Sequence, residues 1–527
     1  MSYRVRYNQL SDEEKTQIKT DLTLHEPQTK YQYANWKGRN NPKKGKEIVF
    51  YSVDEGSDAE PSIDRANGPY ILLPMFYASR LFRRAHINRS RVFPQIEPFH
   101  MTAPPRDYQQ EVIDLSLRNF MAHGSTFLNV FCSYGKTYVA AFLSALFSQS
   151  DRVLTLVTYP GGTVAESWEG TFKNRTTAKL YVVGESSGEI PSDVQVILCM
   201  DTRLMKIPLS IRRKVGHLVV DEADCYCTPG RVEGLLSTEP MYVTLLTATY
   251  ERDDGMQIML DLLAGSKEYI TNSGMVLDGP ERITRISRKP FFVFQRPTPF
   301  RPDPKQGDYG VVYDSLLAEL DKMTERNSMI IETVLDNLDQ KILILTYHVD
   351  HAEKLHAWLS HYLQPLGKNV SLLAKNIKTY SDAPVMVATL KKAGRGFDEE
   401  QKCVDWNGER FNMLILASST MKIEQVAGRV FRADVPLIID FVDDHKNLKK
   451  HWGIRRKWYE SRNGLVYSMN TRFRWVEHKD KLVQDFMRTP ALPAPVDQKP
   501  EGPTYQGSND VGRSHLASVL NSLNGTM

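Results

Sequence analysis

A chain of 527 residues has room for three or four domains of ordinary size, each with its own core, which excludes a peptide-like binder. Hydrophobic residues at 41% and charged residues at 25% are the balance of a globular protein, and no run of eighteen or more apolar residues could span a bilayer. A net charge of +4 is too small to diagnose a nucleic-acid binder, so where the charges fall matters more than their sum.

The opening MSYRVRYNQLSDEEK lacks an apolar signal core and a cleavage site, so nothing argues for secretion. Residues 1–100 read as an N-terminal α+β module of mixed signal. It carries a basic loop interleaved with aromatics (Lys30, Tyr31, Tyr33, Trp36, Lys37, Arg39, Lys43, Lys44, Lys46), the strand-like IVFYSV, and an acidic stretch from Asp54 to Asp64. After YILLPMFYASRLF comes a second basic cluster: Arg80, Arg83, Arg84, His86, Arg89 and Arg91. Each cluster is either a solvated face or a surface that grips a phosphate backbone, and the sequence leaves both readings open.

From residue 101 to about 275 apolar strands alternate with helices: TFLNVF, RVLTLVTYP, KLYVVG, VQVILCM, HLVVDEAD and YVTLLTATY. That alternation is the mark of an α/β layer on a parallel sheet. Residues 276–330 turn irregular and Pro-rich (KPFFVFQRPTPFRPDP) and read as a connection between lobes. Over 331–487 the alternation resumes with KILILTY, NVSLLA, PVMVATL, FNMLILA and PLIIDFV, and a basic aromatic helix, NLKKHWGIRRKWYE, follows. Residues 488–527 are rich in Pro, Gly and Ser and read as a disordered tail with a short amphipathic candidate, HLASVLNSL. The five cysteines (Cys132, Cys199, Cys225, Cys227, Cys403) are irregularly spaced, as in a reducing compartment. Cys225 and Cys227 alone do not make a tetrahedral zinc site.

Chemistry concentrates in Phe127 to Ala140, FLNVFCSYGKTYVA. An apolar strand, a short turn and an apolar helix beginning at Thr137 read as a phosphate loop centred on Gly135-Lys136-Thr137, or as a chance turn that carries Gly-Lys-Thr. Lys136 is placed to reach β/γ-phosphates and the Thr137 hydroxyl to hold Mg²⁺. The eight-residue template wants a first glycine where this chain has Val130. Some eighty residues on, HLVVDEAD ends a strand with adjacent carboxylates: Asp221 for Mg²⁺ and Glu222 to orient and deprotonate a water. In LLTATY, the hydroxyls of Thr247 and Thr249 are candidates to sense the phosphate site.

PRDYQQ, CSYGKT, DEAD, TAT, VATLKKAGRGFD and QVAGRVFR occur in the order seen in superfamily 2 helicases. The resemblance covers roughly residues 100 to 460. Within the superfamily, CSYGKT, TATYERDDG, AGRGFDEE and the tail VDDHKNLKKHWGIRRKWYE resemble the helicases of large cytoplasmic DNA viruses, including the poxvirus transcript-release helicase. The resemblance implies two RecA-like parallel-sheet lobes with ATP and Mg²⁺ in the cleft between them. Arg106 and Gln109 would hold adenine, and Ser133, Tyr134, Gly135, Lys136 and Thr137 the phosphates. Asp221 and Glu222 face Gly396, Asp398, Gln425, Arg429 and Arg432 from the second lobe. Thr158, Thr202, Arg203, Thr247, Thr249 and Thr389 fall on the side where such motors hold a strand, along with Tyr347 and His348; as turn residues they have a bland reading too. The implied activity is that of an ATP-dependent DNA helicase or translocase moving 3′ to 5′ in transcript release, repair or recombination. DNA is the implied partner in preference to RNA, with RNA polymerase or other transcription proteins and no membrane, and the implied location is host cytoplasm or virion. An RNA helicase acting on transcripts is the alternative; a scaffold that has lost hydrolysis is disfavoured by Lys136, Glu222, Arg429 and Arg432.

Overall fold

The computed structural model describes residues 1–25, 47–54, 69–84, 86, 88–131, 133–184, 188–250, 252, 254–265, 269–280, 282–285, 291–307, 310–394, 397–469 and 472–488. Two seven-stranded sheets dominate it, each parallel throughout. The first runs Ile283–Arg285, Ser125–Val130, Tyr242–Thr247, Val215–Val220, Leu154–Tyr159, Val196–Met200, Leu180–Val182. The second runs Val370–Leu373, Val385–Thr389, Ile342–Thr346, Met413–Leu416, Leu437–Val442, Phe291–Pro297, Gly464–Ser468. Central strands of such a sheet are covered on both faces, so they need unbroken apolar runs, and every strand expected from those runs is present. Helices supply the cover and divide the apolar side chains of each lobe into two core clusters.

The first 100 residues pack onto the first lobe and share its core. Ser2–Arg6, Tyr70–Pro74 and Ser52–Asp54 form an antiparallel three-stranded sheet. Its buried Leu73, with Phe50 and Phe76, shares one core cluster with Leu218, Leu245 and Leu263 of the first lobe. The second basic cluster is divided by this packing. Arg80 donates to the Asp278 carbonyl, and Arg91 to the Glu239 carbonyl and, at 3.3 Å, to that of Arg213. These two arginines fasten the module to the lobe, while Arg83, Arg84 and Arg89 stay exposed. The basic loop at 30–46 and the tail from 489, including HLASVLNSL, lie outside the described residues.

The connection expected at 276–330 contributes one strand to each of the two large sheets. Ile283–Arg285 pairs with Ser125–Val130 and edges the first sheet. Phe291–Pro297 lies inside the second, between Leu437–Val442 and Gly464–Ser468. FFVF is a buried apolar run; the prolines that made the stretch look irregular sit at its margins, where a missing N–H interrupts no central ladder. Gly464–Ser468 and the terminal helix Trp475–Arg488 also go beyond the sequence expectation.

Three histidines tie this packing to pH. His217, wholly buried between the Ser144 and Thr244 hydroxyls, is lowered by burial to about 3. His86 is held at about 4 by burial and then by Arg89, and His123 at about 4 by burial and then by Arg80. Each depressed value means that the unfolded chain binds the proton more tightly. Stability is therefore whole above about pH 6.5 and is lost as pH falls toward 4. The expected result is a melting temperature that drops steadily across that window; a flat profile from pH 7 to 4 would contradict these burials.

Candidate active site

The Ser125–Val130 strand delivers the chain to a turn closed by two left-handed residues, Ser133 (φ 74°) and Gly135 (φ 92°). Val130, at the template's first glycine position, is the last residue of the buried strand and takes no part in the turn. Gly135 is obligatory for two reasons. Its φ is costly for any side chain, and a Cβ there would stand 2.4 Å from Gln109 Nε2. The helix starts at Lys136, one residue earlier than expected, and its N-cap residue, Gly135, has no side chain with which to cap it. The first N–H groups of such a helix suit an anion at its positive end.

Gln109 grips the loop directly. Its Nε2 donates to the Tyr134 carbonyl at 3.2 Å, and its Oε1 accepts from the Arg106 N–H at 3.0 Å. The amide has one further hydrogen and one further lone pair besides these two contacts. Arg106 is exposed and donates to the Tyr108 hydroxyl at 2.8 Å. Tyr134 is buried edge-on against Tyr108 and Phe131, and burial pushes its phenol up to about 12.

The acids stand at the end of the neighbouring-but-one strand, Val215–Val220. Asp221 is 6% exposed. It accepts from Trp168 Nε1 and from the Glu222 N–H, both at 2.9 Å. Burial, then the Glu222 charge, pushes it up to about 6 against the opposing pull of Lys136. Glu222 occupies the left-handed region (φ 48°, ψ 53°), which costs a non-glycine residue about 1–3 kcal/mol. Its Oε2 is buried with no hydrogen-bond partner among the described residues. The Asp221 carboxylate and the Thr137 hydroxyl are hard oxygen donors of the kind that suits Mg²⁺, so the residues fit that ion.

Several residues expected to contact a strand are buried. Thr158 is fully buried, its hydroxyl 2.9 Å from that of Tyr226. Thr247, also fully buried, donates to Asp224 at 2.8 Å and accepts from the Thr249 N–H at 3.0 Å. Thr389 is 3% exposed. None of these hydroxyls presents a surface to a strand. Thr247 is instead a link from the last acid of DEAD to the loop carrying Thr249, a role for Asp224 that only the literal tetrapeptide could have signalled. Thr202 is exposed; Arg203 donates to the Val183 carbonyl at 3.2 Å.

The second lobe meets the phosphate loop directly, since Ser133 Oγ donates to the Gly428 carbonyl at 3.1 Å. Lys402 of the second lobe pairs with Glu166 of the first. Gln425 is buried. Arg429 donates to three carbonyls of its own lobe: Gln425 (3.1 Å), Phe397 (2.6 Å) and Gly394 (2.7 Å). Arg432 pairs with Asp398 at 2.8 Å. Burial alone would raise the Asp398 carboxyl, but Arg432 and Arg410 outweigh it and hold it below its usual range. The two motif arginines thus have different anchors. Gly396 lies outside the described residues. Sequence reasoning passed over Glu424, a carboxylate raised by burial and opposed by Arg462, Trp458 and Lys136. Among the described residues no group of three or more His, Cys, Asp or Glu could hold a metal ion, and Cys225 and Cys227 are buried free thiols.

No family model matches the chain. It is 24% identical over 385 residues to 161L of Invertebrate iridescent virus 6, covering 68% of this chain and 80% of that protein. It is 21% identical over 470 residues to L396 of Acanthamoeba polyphaga mimivirus, covering 87% and 84%. Both carry provisional helicase names, L396 as an ATP-dependent RNA helicase. The chain is similar in sequence to helicase-named proteins of large DNA viruses. Among solved structures, S. cerevisiae Dbp5 bound to RNA and ADP BeF3 superposes on this chain with a TM-score of 0.47 at 14% identity, over 73% of this chain and 94% of that one.

Proposed function

We propose that this protein is a DNA-directed motor in which ATP hydrolysis between the lobes drives 3′ to 5′ movement along DNA or its unwinding, in transcript release or repair. The observation that carries the reading is the meeting of Lys136, Asp221 and Glu222 at one sheet edge with the second-lobe segment Gln425 to Arg432, joined by the Ser133–Gly428 hydrogen bond. In this reading Lys136 and the first N–H groups of its helix hold the phosphates, and Glu222 takes the proton of the attacking water through its Oε2. Arginine charge reaches the departing phosphoryl group when the lobes close. Thr137 and Asp221 would hold Mg²⁺, which when bound neutralises charge on the β/γ-oxygens.

A second reading, an RNA helicase acting on transcripts, is favoured by the name of the mimivirus relative. ATPase activity with single-stranded DNA, duplex DNA and RNA separates the two: stimulation by RNA alone would overturn the DNA assignment. Glu222→Gln is expected to bind ATP as the wild type does and to turn over roughly a hundredfold more slowly, because the amide keeps the shape but cannot accept the proton. Loss of affinity equal to the loss of turnover would make Glu222 a binding residue.

A further inference from the structure

The Gly162–Arg175 helix of the first lobe works on two sides. On its inner side Trp168 is wholly buried, lies against Phe172 with ring centroids 6.0 Å apart, and donates its indole N–H to Asp221 at 2.9 Å. Glu166 stands two residues earlier, which on a helix is nearly the opposite side, and it pairs there with Lys402 of the second lobe. Gly170 is one turn beyond Glu166, and a Cβ on it would stand 3.3 Å from Gln401 Nε2. The same side of the helix therefore meets the second lobe at two positions one turn apart.

Gln401 and Lys402 belong to the short helix Glu399–Lys402, which begins at a residue of the candidate ATP site. Asp398 caps it. One oxygen of that carboxylate accepts from the Glu400 N–H at 3.0 Å, and the other accepts from Arg432 at 2.8 Å. The Lys402 N–H returns to the Asp398 carbonyl at 3.0 Å, so a single turn separates the anchor of Arg432 from the pair between the lobes. The Lys402 side chain is 8% exposed and that of Glu166 49%. A lysine is rarely covered so far without a partner, and this partner comes from the other lobe. Ion pairs between two hydrated, mobile side chains contribute little, but here the ammonium end is already confined.

We propose that Glu166 and Lys402 are positioning residues for ATP hydrolysis: by joining these two helices they hold Asp221, through Trp168, in register with Arg432, through Asp398. The inference rests on the motor reading above and adds to it a means of alignment that acts through neighbouring side chains rather than on the nucleotide. The Ser133–Gly428 hydrogen bond is one point of contact, and two bodies joined at one point can still turn about it. A second contact removes that freedom. Register matters because a displacement of about 1 Å between reacting groups can cost about a hundredfold in rate.

The test uses full-length protein, steady-state hydrolysis of ATP with Mg²⁺, and thermal melts. Glu166→Gln should lower kcat roughly tenfold and leave the KM for ATP within about twofold, because alignment is felt in the transition state and not in ground-state binding. It should keep the wild-type melting temperature, since the amide preserves the shape of a half-exposed side chain. Lys402→Gln should lower kcat to a similar extent, and the double variant no further than either single one, because the two residues make one contact. Exchanging the charges, Glu166→Lys with Lys402→Glu, should bring kcat back toward the wild-type value, which a separate structural role for each side chain would not do. A wild type that hydrolyses ATP, with Glu166→Gln keeping its kcat, would overturn the positioning role alone and return the pair to an ordinary surface contact. Losses that add in the double variant, a KM that rises as far as kcat falls, or a folded exchange variant that stays slow would overturn it too. A wild type that hydrolyses no ATP would overturn the motor reading and this inference with it.

Discussion

Lys136→Ala is expected to abolish ATP hydrolysis and leave a folded protein. The ammonium sits at the first position of the Lys136–Ser150 helix, beside Asp221 and within electrostatic reach of Glu424. A unit charge about 4 Å from a phosphate oxygen contributes about 4 kcal/mol at an effective dielectric constant of 20. Losing that in the transition state lowers the rate by about a thousandfold. The fold should survive because the side chain is only half-buried and alanine is the strongest helix former. Asp221 loses its opposing cation in the variant, so its carboxyl should rise further, which compounds the defect. Steady-state ATPase and a thermal melt decide the matter: more than about a tenth of the wild-type rate in a folded variant would sink the phosphate-loop assignment.

The second large effect separates two arginines that the sequence treats alike. Arg432→Ala should lower kcat by about a thousandfold and barely change nucleotide affinity, as befits a charge delivered in the closed transition state. Arg429→Ala should lower kcat as well, and it should also lower the melting temperature. Its guanidinium joins the Gly394 and Phe397 carbonyls to the helix carrying Gln425, and removing it leaves those acceptors to find other partners. The rate losses should not add in the double variant, because both residues serve one developing charge. A melting temperature that falls equally for both substitutions, or for neither, would erase the distinction.

Much of the fold was legible because parallel strands covered on both faces must be written as unbroken apolar runs. Lys136, Asp221 and Glu222 were legible for a related reason: each follows such a run at the edge where a parallel sheet presents its side chains. What stayed hidden depends on partners distant in the chain. Nothing local says that Ser2–Arg6 pairs with Tyr70–Pro74, or that Arg80 and Arg91 bond carbonyls of the first lobe rather than phosphates. The hydroxyls of Thr158, Thr247 and Thr389 were placed correctly along their strands, but spacing along a strand does not reveal which hydroxyls the rest of the fold covers. Phe291–Pro297 was masked by its flanking prolines, although its core is as apolar as any strand that was found.

That strand has a consequence for how the lobes meet. The first sheet ends at Arg285 and the second begins at Phe291, so five intervening residues join them. Even fully extended, such a segment keeps those two points within about 20 Å. The lobes are therefore held in each other's company at an effective concentration in the millimolar range or above, however weak the Ser133–Gly428 and Glu166–Lys402 contacts are. Binding energy from a nucleotide need not recruit the second lobe from solution. It has only to set the angle between two bodies that are already neighbours, so most of it is left to select one relative orientation of the two.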